Sequence, residues 1–258
     1  MTHVEWSAAD YANGSYIQSK IAEPYLHELI LKPRDNILDI GCGDGRFTSR
    51  IANQIPYGQI LGIDSSSNMV QLAEKYQAIH PNFSVREGDV MNMNFRAEFD
   101  CVLSFWCLHW SEDIIISFNN IYQALKKDGI LLVLCPTGEG GPYSRAYRTV
   151  KESRHFDELT YFTIPPGYNN FTKLPQKLAA LPFSKLLCER IVASIVLPSL
   201  DVFSDYVQGM AHFQNQFPLS RIKKINEAMV EAYVQYCQQH YQGKYLFELA
   251  IYKISGVK

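Results

Sequence analysis

The sequence predicts an α/β fold built on a doubly wound, mostly parallel sheet with helices on both faces. Three observations predict it. Strand and helix signals alternate at short intervals through the first half of the chain. Two of those strands, FDCVLSFW (Phe99 to Trp106) and GILLVLC (Gly129 to Cys135), are continuous apolar runs, the mark of strands covered on both faces. Two further strand signals follow late in the chain and suggest a sheet finished by an antiparallel, hairpin-like pair. Repeated strand–helix alternation implies parallel strands joined by right-handed crossovers.

The elements follow in order. NILDI (Asn36 to Ile40) is a short apolar run ending at a glycine turn, and FTSRIANQI then carries apolar residues at helical spacing. QILGID (Gln59 to Asp64) is the second strand, with a helix through SNMVQLAEKYQ after it. FSVREGD (Phe83 to Asp89) is the third. Between the fourth and fifth strands, IIISFNNIYQALKKDG reads as a helix ending on basic residues before Gly129, a C-terminal signal. After Pro136 the chain becomes rich in Pro, Gly and Tyr, with PYSRAYRTVKESRHF its clearest helix. Strand character returns in KLLCERIVASIVL, a helical region runs from about Leu200 to Tyr241, and YLFELAIYKIS closes with strand alternation. The expected organisation is one domain over 1–258, with an N-terminal helical lid at about 5–30 and helical cap insertions at about 137–182 and 198–242.

Composition excludes several classes. The 258 residues are 47% hydrophobic and 19% charged, ordinary for a globular chain rather than a disordered one. A formal net charge of −2 leaves no basic footprint for nucleic acid. No apolar run is long enough to span a membrane, and MTHVEWSAAD has neither the basic nor the apolar part of an export signal. Six cysteines form no CxxC pair and lie mostly inside apolar runs, which reads as reduced thiols of a cytoplasmic protein. The seven histidines show no metal-ligand spacing, so no metal is expected.

The chemistry concentrates in LDIGCGDG (Leu38 to Gly45). Gly41, Gly43 and Gly45 directly after a strand allow a tight turn and a close approach of ligand to backbone. Arg46 stands where a dinucleotide fingerprint needs its third glycine. Asp39 and Asp44 would repel a pyrophosphate at this turn but suit a cationic amino acid. Asp64 ends the second strand where an acid binds a ribose diol, and Asp89 ends the third, where a carboxylate suits an adenine amino group. A ligand with a sulfonium, an ammonium, a ribose and an adenine but no phosphate is S-adenosylmethionine.

These residues resemble a known family. From about Trp6 to Pro136 the chain is similar to class I S-adenosylmethionine-dependent methyltransferases, through LDIGCGDG, GIDSS with Met69, EGDV and SFWCLHW. The fullest resemblance is to the trans-aconitate and juvenile hormone acid methyltransferases, which share an early Trp/Tyr/Gln pattern (Trp6, Tyr11, Gln18) and the S-F-x-x-L-H-W signature (Ser104, Phe105, Leu108, His109, Trp110). The resemblance implies a seven-stranded sheet with its last strand antiparallel. It implies cofactor contacts at Gly41, Asp64, Ser65, Asp89 and Val90, with Tyr11, Gln18, Asp39, Gly43, Met69 and Ser104 completing the candidate set. Met69 either lines the adenine or packs in the core.

For the acceptor, His109 and Trp110 follow the fourth strand at its carboxyl end, the ligand-binding side of open α/β sheets. They are the candidate catalytic residues. Trp106 either walls the acceptor site or fills the core, and Arg145 is the candidate partner for an acceptor carboxylate. A carboxylate acceptor is ionised at neutral pH and needs no base, whereas a hydroxyl or amine needs one, and His109 is the placed candidate. The expected activity is methyl transfer to a small molecule, O-directed and on a carboxylic acid. The alternatives are an N- or C-directed transferase and a cofactor-binding protein of the same fold without transferase activity. The expected assembly is a monomer or weak homodimer, with no nucleic acid or membrane partner.

Overall fold

The computed structural model describes residues 14–162, 173–210, 213 and 216–258. Trp6, Tyr11, Tyr168 and Phe171 lie outside the described residues. One seven-stranded sheet organises the chain, in the order β3-β2-β1-β4-β5-β7-β6. Its strands are β1 (Asn36–Ile40), β2 (Gln59–Asp64), β3 (Phe83–Glu87), β4 (Phe99–Phe105), β5 (Leu125–Pro136), β6 (Lys185–Val196) and β7 (Leu246–Val257). The first five pair in parallel, and β7 runs antiparallel to both β5 and β6.

Side-chain alternation explains why the central strands are continuously apolar. On β4, Cys101, Leu103 and Phe105 face one core while Val102 faces the other; on β5, Leu132 and Leu134 oppose Leu131, Val133 and Cys135. One face is covered by α1 (Tyr16–His27), α2 (Arg46–Ala52), α5 (Pro142–Glu152), α7 (Leu200–Gly209) and α8 (Leu219–Tyr241). The other is covered by α4 (Ile114–Ala124) and the short α6 (Leu174–Leu178). Helix α3 (Ser67–Gln77) starts at Ser66, whose hydroxyl accepts the Met69 N–H at 3.3 Å, and α4 starts at Asp113, which accepts from Ile115 and Ile116.

Two expectations are corrected. The helix expected to run to Gly129 stops at Ala124, because Leu125 already pairs with Phe99 and Asp128 takes a φ of 62° in a bulge between them and Ile130. Its basic residues are not a helix terminus: Lys126 pairs with Asp100 at 2.8 Å. The late strands pair antiparallel as expected, from Lys185–Val257 to Val196–Leu246, with β7 lying between β5 and β6. The expected helical region of 200–241 is two helices with a break after Gly209. Among the described residues no helix is long and apolar enough to cross a membrane, and no cluster of three or more His, Cys, Asp or Glu suits a metal ion.

The sheet order sets the site. β1 is flanked by β2 on one side and β4 on the other, so the chain leaves their carboxyl ends in opposite directions and opens a crevice there. The glycine turn and the segment Trp106–Trp110 occupy those two ends.

Candidate active site

The turn after β1 consumes its own donors. Gly41 and Cys42 both donate to the Ile63 carbonyl, at 2.8 and 3.1 Å, and Gly43 donates to Asp64 Oδ2 at 2.9 Å. Gly45 donates to the Cys42 carbonyl and Arg46 to Asp44 Oδ1, each at 3.1 Å. A phosphate cradle needs such N–H groups aimed outward, and here they point into the protein. The glycines are required sterically. Gly41 has a φ of +74°, and a Cβ there would lie 2.2 Å from Cys107 Cβ.

Negative charge gathers around the turn. Asp39 is buried and accepts from Thr48 Oγ1 at 2.5 Å; burial pushes its carboxyl up to about 6, against the pull of Thr48 and with the help of Asp64. Asp64 accepts from the Gly43 and Ser66 amides, one on each oxygen, both at 2.9 Å. Asp44 Oδ2 is buried and has only an ion-pair contact of 3.6 Å with Arg46, too long for a hydrogen bond.

Helix α1 closes the crevice. A slot of about 50 Å³ lies between it and the turn, lined by Gln18, Asp39, Gly41, Gly43, Trp106 and neighbours that include Arg46 and Phe47. Beside it, sharing Ser15, Ser19, Arg46 and Phe47, is a cavity of about 400 Å³ walled by α1, α2 and α7. That volume falls within the range of small-ligand sites. Gln18 Oε1 is buried in the slot region with no hydrogen-bond partner among the described residues, an acceptor that a ligand donor would satisfy.

Asp64, Ser65, Met69, Asp89, Val90 and Ser104 do not line this slot. Ser104 is fully buried and donates to the Ile40 carbonyl at 2.9 Å, tying the ends of β1 and β4 together. Ser65 is exposed after β2, and Met69 is buried on α3. Asp89 accepts from the Met91 amide at 2.9 Å, and buried Val90 gives its carbonyl to Asn120 of α4. His109 is buried in a short 3₁₀ turn, its ring 5.1 Å from that of Trp110. Neither lines the slot. Nor does Arg145, whose guanidinium lies 4.0 Å from the centre of the Tyr236 ring on α8.

Sequence reasoning missed two features. Arg46, noted only as a break in the dinucleotide fingerprint, stands on the wall of both cavities. Trp106 takes a φ of +60°, an outlier for a bulky residue that costs about 1–3 kcal/mol. A basic residue straight after a glycine turn was a usable signal for the first; nothing in the sequence marks the second.

The residues present fit S-adenosylmethionine: buried carboxylates for its positive charges, a Gln18 amide oxygen unpartnered among the described residues, and turn amides at Gly41, Cys42 and Gly43 already spent on Ile63 and Asp64. Comparison with known proteins agrees. Residues 37–129 match the model of a methyltransferase domain family. A putative methyltransferase of Invertebrate iridescent virus 6 is 30% identical over 50% of this chain and 48% of its own length, so the match spans about half of that relative. Among solved structures, phosphoethanolamine N-methyltransferase 2 of Haemonchus contortus, in complex with S-adenosyl-L-methionine, superposes with a TM-score of 0.62 at 15% identity over 98% of this chain and 57% of that one, a likeness of fold. The juvenile hormone acid O-methyltransferase of Bombyx mori is 35% identical over 209 residues, 78% of this chain and 73% of that enzyme. With that much of a relative covered, and a sheet and glycine turn of this kind, the chain belongs to the class I S-adenosylmethionine-dependent methyltransferases.

Proposed function

We propose that this chain methylates a carboxylate oxygen of a small organic acid. The observation that carries the reading is the anionic slot, where the Gly41, Cys42 and Gly43 amides are spent on Ile63 and Asp64, which favours a cationic, phosphate-free methyl donor. S-adenosylmethionine supplies a methyl group on a sulfonium, a leaving group that needs no acid to depart. The protein's tasks are to bind, to orient and to exclude water.

In this reading ionised Asp39 faces the cofactor's positive charge, Asp64 accepts from the ribose hydroxyls, and Asp89 from the adenine amino group. Gly41, Gly43, Ser65, Met69 and Val90 complete the cofactor's surroundings, with Gln18 Oε1 accepting from its ammonium. Ser104 supports the turn from beneath. Tyr11 is assigned as a further cofactor contact. Helix α1 is the lid, and the helices from α5 to α8 form the cap.

A carboxylate acceptor supports the simplest chemistry, since it is already nucleophilic at neutral pH and no proton must be removed. It needs one oxygen held while the other reacts, the role assigned to His109 and Trp110, with Arg145 a further partner for the acid. The name of the silkworm relative, an acid O-methyltransferase, favours the same acceptor class.

The test is a methylation screen over small carboxylic acids with labelled cofactor, followed by mild base. A methyl ester releases methanol under those conditions; an N- or C-methyl product does not. Label that survives base points to a methyl ether from a hydroxyl acceptor or to an N- or C-directed transferase. No label on any acid, with the cofactor bound, favours a binding protein of the same fold.

A further inference from the structure

Trp106 holds its left-handed backbone by donating its N–H to the Leu134 carbonyl at 2.9 Å. This turn at the end of β4 swings the indole toward α1. There Nε1 donates to the Gln18 carbonyl at 3.0 Å, across 88 residues of chain. Both residues line the slot beside the glycine turn. We infer that Trp106 is a positioning residue: its indole N–H latches α1 to the end of β4 and thereby sets where the Gln18 side chain meets the cofactor. This rests on the proposed function, in which that slot receives the amino-acid end of S-adenosylmethionine.

Three observations support a latch over simple packing. First, a bulky residue at a positive φ is an expensive way to fill space, and strain of this kind persists where a site depends on it. Second, α1 is otherwise held by the buried side chains Ile17, Ile21, Ala22 and Leu26, apolar packing that carries no direction of its own. Pro24 inside it removes one helix N–H, and the ion pairs Arg50–Glu23 and Lys253–Glu28 each keep one partner about half exposed, which limits their contribution. Third, the latched carbonyl belongs to the residue whose own Oε1 is buried and unpartnered. A helix held one residue out of register would turn that amide away from the slot.

Trp106→Phe keeps an aromatic ring and loses the N–H. Two readouts test the latch without turnover: calorimetric affinity for S-adenosylhomocysteine, and amide hydrogen exchange of α1 in the ligand-free protein. The expected result is about tenfold weaker binding, the worth of one hydrogen bond, with faster exchange confined to α1. Gln18→Ala completes a double-mutant cycle, and the combined loss should be smaller than the product of the single losses. Faster exchange throughout the molecule, unchanged affinity, or losses that simply multiply would overturn the latch while leaving the proposed function standing. Wild-type protein that fails to bind S-adenosylhomocysteine overturns both.

Discussion

Thr48 donates its hydroxyl to Asp39 at 2.5 Å, inside the core beneath the glycine turn, so a strand acid and a helix threonine share one buried hydrogen bond. The bond opposes but does not cancel the desolvation that raises the Asp39 carboxyl to about 6. A carboxylate kept this far from water is costly when ionised, and a bound cation beside it recovers that cost.

The first prediction follows from the sign of that shift. Folded Asp39 binds its proton more tightly than the unfolded residue, so between its ordinary 3.8 and about 6 the folded state holds more protons. Its contribution to stability therefore falls as pH rises through that window, and the penalty is complete above it. Asp39→Asn should stabilise the ligand-free protein by about 1–3 kcal/mol at pH 7.5, and the gap should narrow toward pH 4. The same variant should bind S-adenosylmethionine more weakly. Thermal melts across pH, with and without cofactor, check both; a gap that does not change with pH contradicts the assignment.

Asp64 separates charge from scaffold. Its oxygens accept from the Gly43 and Ser66 amides, so truncation loosens the turn and the start of α3 as well as removing a cofactor contact. Asp64→Ala should weaken cofactor binding by about 1–3 kcal/mol and also lower the melting temperature. Asp64→Asn retains one acceptor oxygen and should lose affinity with a smaller loss of stability. Calorimetry and melting on the pair would expose a purely structural role if affinity stayed at the wild-type value.

Gly41 and Gly243 form an internal control for the turn. Both have positive φ, +74° and +80°, but a Cβ at Gly41 meets Cys107 at 2.2 Å whereas at Gly243 nothing lies within 4 Å. Gly243→Ala should cost about 1–2 kcal/mol of backbone strain alone. Gly41→Ala should cost several kcal/mol, since Cys107 and the end of β4 must move. Denaturant midpoints measure the difference, and equal costs would mean the turn yields easily.

Much of this architecture is legible in the sequence because it is local. β1, β2 and α3 fall on the ranges their apolar spacing predicts. The stretch Lys126–Gly129 misled because basic residues before a glycine look like a helix end, while pairing of Leu125 with Phe99 decides the matter across the sheet. Arg145 looked free to bind an acid, and only the packing of α5 on α8 reveals Tyr236 beneath its guanidinium. The anionic turn was legible as charge. That its amides are spent on Ile63 and Asp64 depends on a neighbouring strand. The link from Trp106 to Gln18 joins distant segments through a backbone carbonyl, which carries no residue signature.

The last prediction concerns His109, buried in the turn after β4 with its ring tilted against that of Trp110. If it holds a carboxylate oxygen of the acceptor, His109→Gln keeps a hydrogen-bond donor and should retain much of the turnover rate. A general base replaced by Gln would instead cost on the order of 10²–10⁴ in turnover. The wild-type pH profile separates the same cases. Histidine acting as a base makes the rate rise through the ordinary histidine range near 6.5, whereas a carboxylate acceptor, ionised well below it, leaves the rate flat from about pH 6 to 8. The proposed function expects the flat profile and the active Gln variant together. A rising profile with a crippled Gln variant would assign a hydroxyl or amine acceptor and make His109 the base that deprotonates it.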